Sequence, residues 1–239
     1  MKVGKMRVAL ILAVTALFFN SLKAQTADEI VNKYVEALGG KDKLEQINSI
    51  KMDNTTQVMG TEGPSTIYGV KGTGYRVESE VNGQKMIQVF TDKGGWQLNP
   101  FMGATTPTAM PEEMYKQGKS KLDLTGPLVN YAAKGYKVEL LGKDGNAYKL
   151  KITGGDQGEM IAYIDTATYM MTKLTASGTF MGQSTEIASS FSNYKKGDLG
   201  ITFPYQIEIS YGGQFSITNT VNKIEINKPV DPKIFDMPK

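Results

Sequence analysis

The sequence predicts an α+β domain: an incompletely closed antiparallel β half-barrel of about ten or eleven strands, with helices covering its concave face. Three observations lead there. A capped amphipathic helix opens the folded part at Thr26-Ala27-Asp28-Glu29. Beyond Ile47 the apolar period drops from about 3.6 to about 2 and holds, with Gly- and Asp-bearing turns between the runs. A single stretch in the middle breaks that alternation with prolines followed by helical spacing.

The elements follow in order. The Thr26 hydroxyl can accept the third helical N–H while Glu29 reaches back, which fixes the helix start. Ile30, Val31, Tyr34, Val35 and Leu38 then form one apolar stripe, and Gly39-Gly40 ends the helix. A short second helix is expected at 41–46. Ile50, Met52, Asn54, Thr56 and Val58 alternate with Lys51, Asp53, Thr55 and Gln57, as in a strand with one wet face. Tyr75, Val77, Ser79 and Val81 repeat this against Arg76, Glu78 and Glu80. Asn82-Gly83 supplies the positive φ angles of a two-residue hairpin turn. The return strand spans 85–91, and Asp92-Lys93-Gly94-Gly95 turns into Trp96-Gln97-Leu98. Residues 103–111 read as an exposed loop. Helical segments are expected at 112–119 and 122–133, with Pro127 beginning a helix. Strands resume at 136–141, 148–152, 159–165, 169–178, 184–194, 201–210 and 214–226. The tail Asp231-Pro232-Lys233-Ile234-Phe235 should turn and dock Phe235 on the body. With no linker, composition shift or repeat, residues 25–239 read as a single domain carrying a helical lid insertion at about 111–133.

The start of the chain reads as an export signal. Lys2, Lys5 and Arg7 precede an apolar run at 8–19, and small residues lead to a cleavage site after Ala24. Removing residues 1–24 takes four of the 27 basic residues and leaves 23 against 24 acidic, a net charge of −1. The basic balance of the full chain therefore belongs to the discarded segment. With Arg76 the one Arg remaining, nucleic acid is excluded as a partner. The chain has no Cys and no His, so disulfides, thiolate or HExxH metal sites, Ser-His-Asp triads and lipid attachment through Cys are all ruled out. No cofactor and no metal is expected.

Strand twist accumulates, and a sheet this long must curl or split. Full closure would leave the helical stripes without a place to pack. An unclosed barrel with helices in its mouth uses every element and encloses an apolar cavity. Alternation assigns its lining to Met52, Val58, Tyr75, Val77, Trp96, Leu98, Tyr148, Leu150, Tyr163, Phe203, Tyr205, Ile207 and Phe215, with Leu128 contributed by the lid. The strand at 85–91 reads equally well with either face inward. Methionines spread through the chain suit a surface that accepts variable apolar guests.

One stretch carries a family resemblance. Thr91-Asp92-Lys93-Gly94-Gly95-Trp96-Gln97-Leu98-Asn99-Pro100-Phe101 resembles the D-G-x-x-x-W-x-x-N-P-F segment of the LolA/LolB-like outer-membrane lipoprotein-sorting family, and Tyr75-Arg76-Val77-Glu78 resembles its preceding strand. The likeness is specific over about residues 66–130. It implies an unclosed half-barrel with a helical lid and a periplasmic carrier that shields a lipoprotein acyl chain or lipid. It also implies binding roles for Trp96 and Phe101, lid helices at 111–133, and an envelope protein as donor or acceptor. The carrier is expected to act as a monomer. The family's Arg before Pro, which helps hold its lid shut, has no counterpart; Gly72-Thr73-Gly74 stands there, with Lys71 the nearest cation.

Two other functions compete. A carboxylate-based glycosidase needs two acids facing each other across a cleft. The acids available (Glu78, Glu80, Glu139, Glu159, Asp165, Glu186, Glu208) mostly alternate with apolar residues and face solvent, so no enzyme is expected. A cell-envelope module that binds another protein on the concave face predicts the same fold. Arg76 alternates with the inward set and is assigned to the outer surface in an ion pair.

Overall fold

In the computed structural model, residues 25–155, 158–180 and 182–238 are described; the expected export signal lies outside them. Thr26 caps helix α1 (Ala27–Ala37) with both bonds of the predicted box, and α2 (Lys41–Glu45) follows after Gly40. The alternating segments then build one continuous antiparallel sheet. Its strands are β1 (Ser49–Val58), β2 (Thr61–Val70), β3 (Gly74–Val81), β4 (Gln84–Thr91), β5 (Gly95–Leu98) and β6 (Thr108–Ala109). After a helix α3 (Glu112–Gly118) come β7 (Lys137–Asp144), β8 (Ala147–Thr153), β9 (Met160–Asp165), β10 (Met171–Phe180), β11 (Gln183–Lys196), β12 (Thr202–Tyr211) and β13 (Phe215–Ile226). The spatial order runs from β6 down to β1, then from β13 down to β7. Two meanders are thus joined where β1 pairs with β13, and the outermost strands β6 and β7 do not meet. The fold is an open half-barrel of α+β type.

Two strands exceed the expectation. In β2 the sequence Gly63-Pro64 hides the alternation. Pro64 lies opposite Thr55 of β1 just before the first rung to β3, Ser65–Ser79, so it has a ladder neighbour on one side only. Two-residue β6 pairs with Trp96 and Gln97 and is too short to leave a period.

One expected helix does not form. Residues 123–135 are successive turns, because Gly126 and Asn130 adopt left-handed φ angles of 77° and 54° on either side of Pro127. Side chains hold this segment instead. Lys134 Nζ pairs with Asp123 at 2.5 Å and donates to Thr125 Oγ1 and the Gly126 carbonyl, both at 2.8 Å. Asn130 donates to Glu45, and Tyr131 donates to Asp28, tying the turns to the first two helices.

The ladder registers sort every strand residue onto one of two faces. On the concave side α1 sets Ile30 and Val31 against Tyr148, Leu150, Ile152, Ala162 and Ile164. Leu38, Leu44, Ile47 and Val129 continue this packing toward Ile201 and Ile226. A third cluster lies on the convex side, where the tail brings Phe235, Val230 and Ile234 onto Val89, Ile87, Trp96 and Tyr68. Trp96 Nε1 donates to the Phe235 carbonyl at 2.8 Å, so the predicted docking of Phe235 is present.

Candidate functional site

The hairpins β1–β2, β3–β4, β10–β11 and β12–β13 turn at one end of the half-barrel, here called the mouth. The other end, the base, is filled by α1, α2 and the turns at 123–135. Leu150 and Leu128, at 0% and 1% exposure, belong to this filling, as does Tyr148. These three expected lining residues are therefore packed core. Sequence alternation placed them on the correct face, but α1 occupies the space in front of them.

Toward the mouth the apolar side chains of the concave face are only partly covered. Val58, Ile187, Ile209, Tyr211, Phe215 and Ile217 share this face by register and are all half-buried. Phe180, Tyr211 and Phe215 stack in a cluster with ring centres 4.8 to 5.8 Å apart, and burial raises the Tyr211 pKa. Met52, Tyr75, Val77 and Ile207 line the same face deeper in, also half-buried. Phe203 packs near the base against the second cluster. Between the apolar zones runs a polar belt in which Thr56 Oγ1 bonds Ser65 Oγ at 2.7 Å and Asn219 Oδ1 at 2.6 Å.

Trp96, Leu98, Phe101 and Tyr163 lie elsewhere. Trp96 and Leu98 face their partners Val89 and Ile87 on the convex side, beneath the tail. Arg76 lies over the Trp96 ring at 5.3 Å, donates to the Ile234 carbonyl at 2.7 Å and pairs with Glu78 at 2.6 Å. Its outward assignment holds. Tyr163 also faces outward, with Lys173 Nζ 4.2 Å and Lys149 Nζ 5.8 Å from its ring centre. Phe101 follows β5 in a 3₁₀ turn at Pro100–Met102 and is 54% exposed at the rim of the mouth. Tyr205 is half-buried, its ring 4.6 Å from Lys195 Nζ.

Helix α3 spans the interior. Gly118 lies so close to β4 that a Cβ there would stand 1.9 Å from Phe90 Cε1. On the opposite wall a Cβ on Gly178 of β10 would stand 4.0 Å from Gln117 Oε1. Adjacent residues of one helix thus reach both sides of the barrel. Tyr115 donates to the Thr91 carbonyl at 2.8 Å and helps fix the helix to β4. The next segment, a 3₁₀ turn at Lys119–Leu122, packs over β2–β4 and places Lys121 Nζ 4.7 Å from the Phe90 ring centre. Sequence reading missed Lys121, because a Lys-Ser-Lys run looks like a solvated surface. It missed Ile187, which Thr185 and Ser189 flank on the same face, and Ile217, which lies between Phe215 and the polar Asn219.

Charge is distributed unevenly. Three hairpin tips at the mouth, Met59-Gly60, Asn82-Gly83 and Gly212-Gly213, carry no ionisable residue, and Met59 is 87% exposed; at the β8–β9 turn of the same end Glu159 pairs with Lys151. The turns at the base contain Lys71, Asp92-Lys93, Lys143-Asp144 and Lys195-Lys196. Every carboxylate on a strand falls on the convex face by register, Glu62, Glu78, Glu80, Glu139, Glu186 and Glu208 among them. Among the described residues no group of three acidic side chains could hold a metal ion, and no helix is long and apolar enough to cross a membrane. Two depressions of about 430 and 420 Å³ lie off the concave face, one beside α1 and α2, the other under the tail.

No protein-family model matches the sequence, and no functionally curated protein does. Solved structures do. A LolA superfamily protein of Nitrosomonas europaea superposes with a TM-score of 0.55 at 13% identity, covering 89% of this chain and 98% of that one. A DUF1329 family protein of Desulfovibrio piger gives 0.55 at 11%, covering 89% and 98%. A Vibrio parahaemolyticus domain named for outer membrane lipoprotein sorting gives 0.52 at 12%, covering 87% and 95%. At such identities the likeness speaks to architecture: the chain has the LolA-like half-barrel fold.

Proposed function

We propose that this protein is a periplasmic binding or carrier protein that holds an apolar ligand, a lipid or the acyl chain of a lipoprotein, on the concave face of its half-barrel. Residues 1–24 direct export, and residues 25–239 work as one monomeric domain that exchanges cargo with an envelope protein donor or acceptor. The observation that carries this reading is the half-buried apolar wall at the mouth, spanned by α3 and bordered by three uncharged hairpin tips. An apolar wall that a domain leaves unfilled marks a binding surface. The three solved folds, one named for lipoprotein sorting, support the same reading. Catalysis by paired carboxylates has no support, since the strand acids face away from the hollow.

A second reading is a module that binds another envelope protein on the same face. The packing of α1 over Leu150 and Ile164 favours it, because the filled base leaves a shallow trough in place of a deep hollow.

Binding of the neutral dye Nile red to the purified protein, with native mass spectrometry for copurifying lipid, tests the carrier reading. One dye should bind per chain. Ile217→Asp places a carboxylate on the apolar wall and should weaken that binding by at least about tenfold. Absence of both dye binding and copurified lipid would favour the protein-binding module.

A further inference from the structure

The strand acids leave the concave face, whereas Lys121 reaches into it on the β3–β4 side. Lys121 Nζ lies 4.7 Å from the centre of the Phe90 ring and 5.9 Å from that of Tyr75, two residues opposite each other on the concave side of β4 and β3. The side chain is exposed to solvent, although surrounding protein is dense enough for burial to pull its pKa from 10.5 to about 8. Its approach to two rings of the concave side, together with its exposure, puts Lys121 on the inner wall of the half-barrel. No ion pair includes it among the described residues, whereas Lys134 in the next turn is paired with Asp123. One rung toward the mouth, Gln97 faces Gln88, and its amide oxygen is enclosed without a partner among the described residues.

We infer that Lys121 anchors the oxyanion head of an acyl amphiphile, a carboxylate or a phosphate ester, whose chain runs along the concave face toward the mouth. This rests on the carrier reading and adds a polar end to the ligand. Attraction between the ammonium and an oxyanion is strong where no competing carboxylate shares the space and the surrounding walls are of low dielectric. The Gln97 amide has both a donor and an acceptor, and so can serve a hydroxyl or an ester beside that head. From Tyr75 to Val81, β3 covers about 20 Å of concave wall, a length that an extended long-chain acyl group spans.

The test is displacement of Nile red by three ligands with the same chain: oleate, oleoyl lysophosphatidate and oleyl alcohol. Wild type should bind at least one acid about tenfold or more tighter than the alcohol, as expected for a charge-assisted contact. The tighter acid identifies the source, a free fatty acid or a phospholipid. Lys121→Met keeps length and apolar stem; it should lose this preference while alcohol binding is unchanged, and Lys121→Arg should retain it. Equal binding of acids and alcohol, or a preference that survives in Lys121→Met, would overturn the anchor while leaving the apolar site standing. If neither the dye nor any of the three ligands binds, the carrier reading falls as well.

Discussion

Replacing Gly118 by Ala tests how α3 is seated. The residue ends α3 with φ −92° and ψ −14°, a conformation any residue adopts. On backbone grounds alone Ala should stabilise the helix end by about 0.5–1 kcal/mol. Packing opposes this. The new methyl would stand 1.9 Å from Cε1, 2.4 Å from Cζ and 2.6 Å from Cδ1 of Phe90. Contacts below 3 Å cannot persist, so helix and ring must part by more than an ångström. Phe90 is 2% exposed, and its ring has no free volume to enter. Overpacking of this kind costs about 1–3 kcal/mol. The balance is a net loss centred on about 1 kcal/mol, within a range of about 0–2.5 kcal/mol. Urea unfolding measures that loss, and amide exchange shows whether it is local, with faster exchange in 112–122 than in wild type. Phe90→Leu should relieve the clash, so the double variant should lose less than the two single losses combined. If Gly118→Ala is as stable as wild type and its α3 amides are equally protected, the helix does not sit against β4 as described.

Three further outcomes follow from the same structure. A Cβ on Gly74 would stand 2.5 Å from the Phe235 ring, so Gly74→Ala should release the tail and shift the emission of Trp96 to the red; unchanged emission would mean that the tail does not cover the indole. Burial alone would raise the pKa of Glu78, but hydrogen bonds from Lys85 and Arg76 prevail and hold it below the ordinary carboxylate value. Its ion pairs therefore contribute above pH 4.5 and are lost as pH falls through the lowered value, so Glu78→Gln should cost about 1 kcal/mol at pH 7 and progressively less below about pH 4. Lys134→Met removes the cation that holds Asp123, Thr125 and the Gly126 carbonyl, and should accelerate amide exchange across 123–134 relative to the strands; uniform protection would assign the hold to Leu128 and Val129 instead.

The curl of the sheet and most of its ladder were legible because Asn82-Gly83 and the other turns punctuate a sustained alternation. Faces were legible only where one side is wet. On β1 the charged partners Lys51 and Asp53 settle which way Met52 points. On β4 and β5 both faces are apolar, since the tail covers Ile87, Val89 and Trp96 from outside while Phe90 lies inside. Alternation states that Trp96 and Gln97 point apart, and carries no mark of which is the inner one. The conspicuous aromatic invites an inward assignment, and the tail reverses it. Tyr163 went astray for a related reason: the cations of Lys149 and Lys173 lie over its ring, which makes an outward aromatic tolerable. The seat of α1 over Leu150 depends on long-range packing, which no local period encodes.

The position of Trp96 bears on how ligand binding can be followed. The chain's one indole is clamped on the outside of the sheet by the Phe235 carbonyl and the Arg76 guanidinium, with the β-layer between it and any guest. Intrinsic fluorescence is therefore a gauge of the strap and is nearly blind to cargo. A tryptophan introduced for Phe215 or Tyr211 would put the reporter on the side where loading takes place.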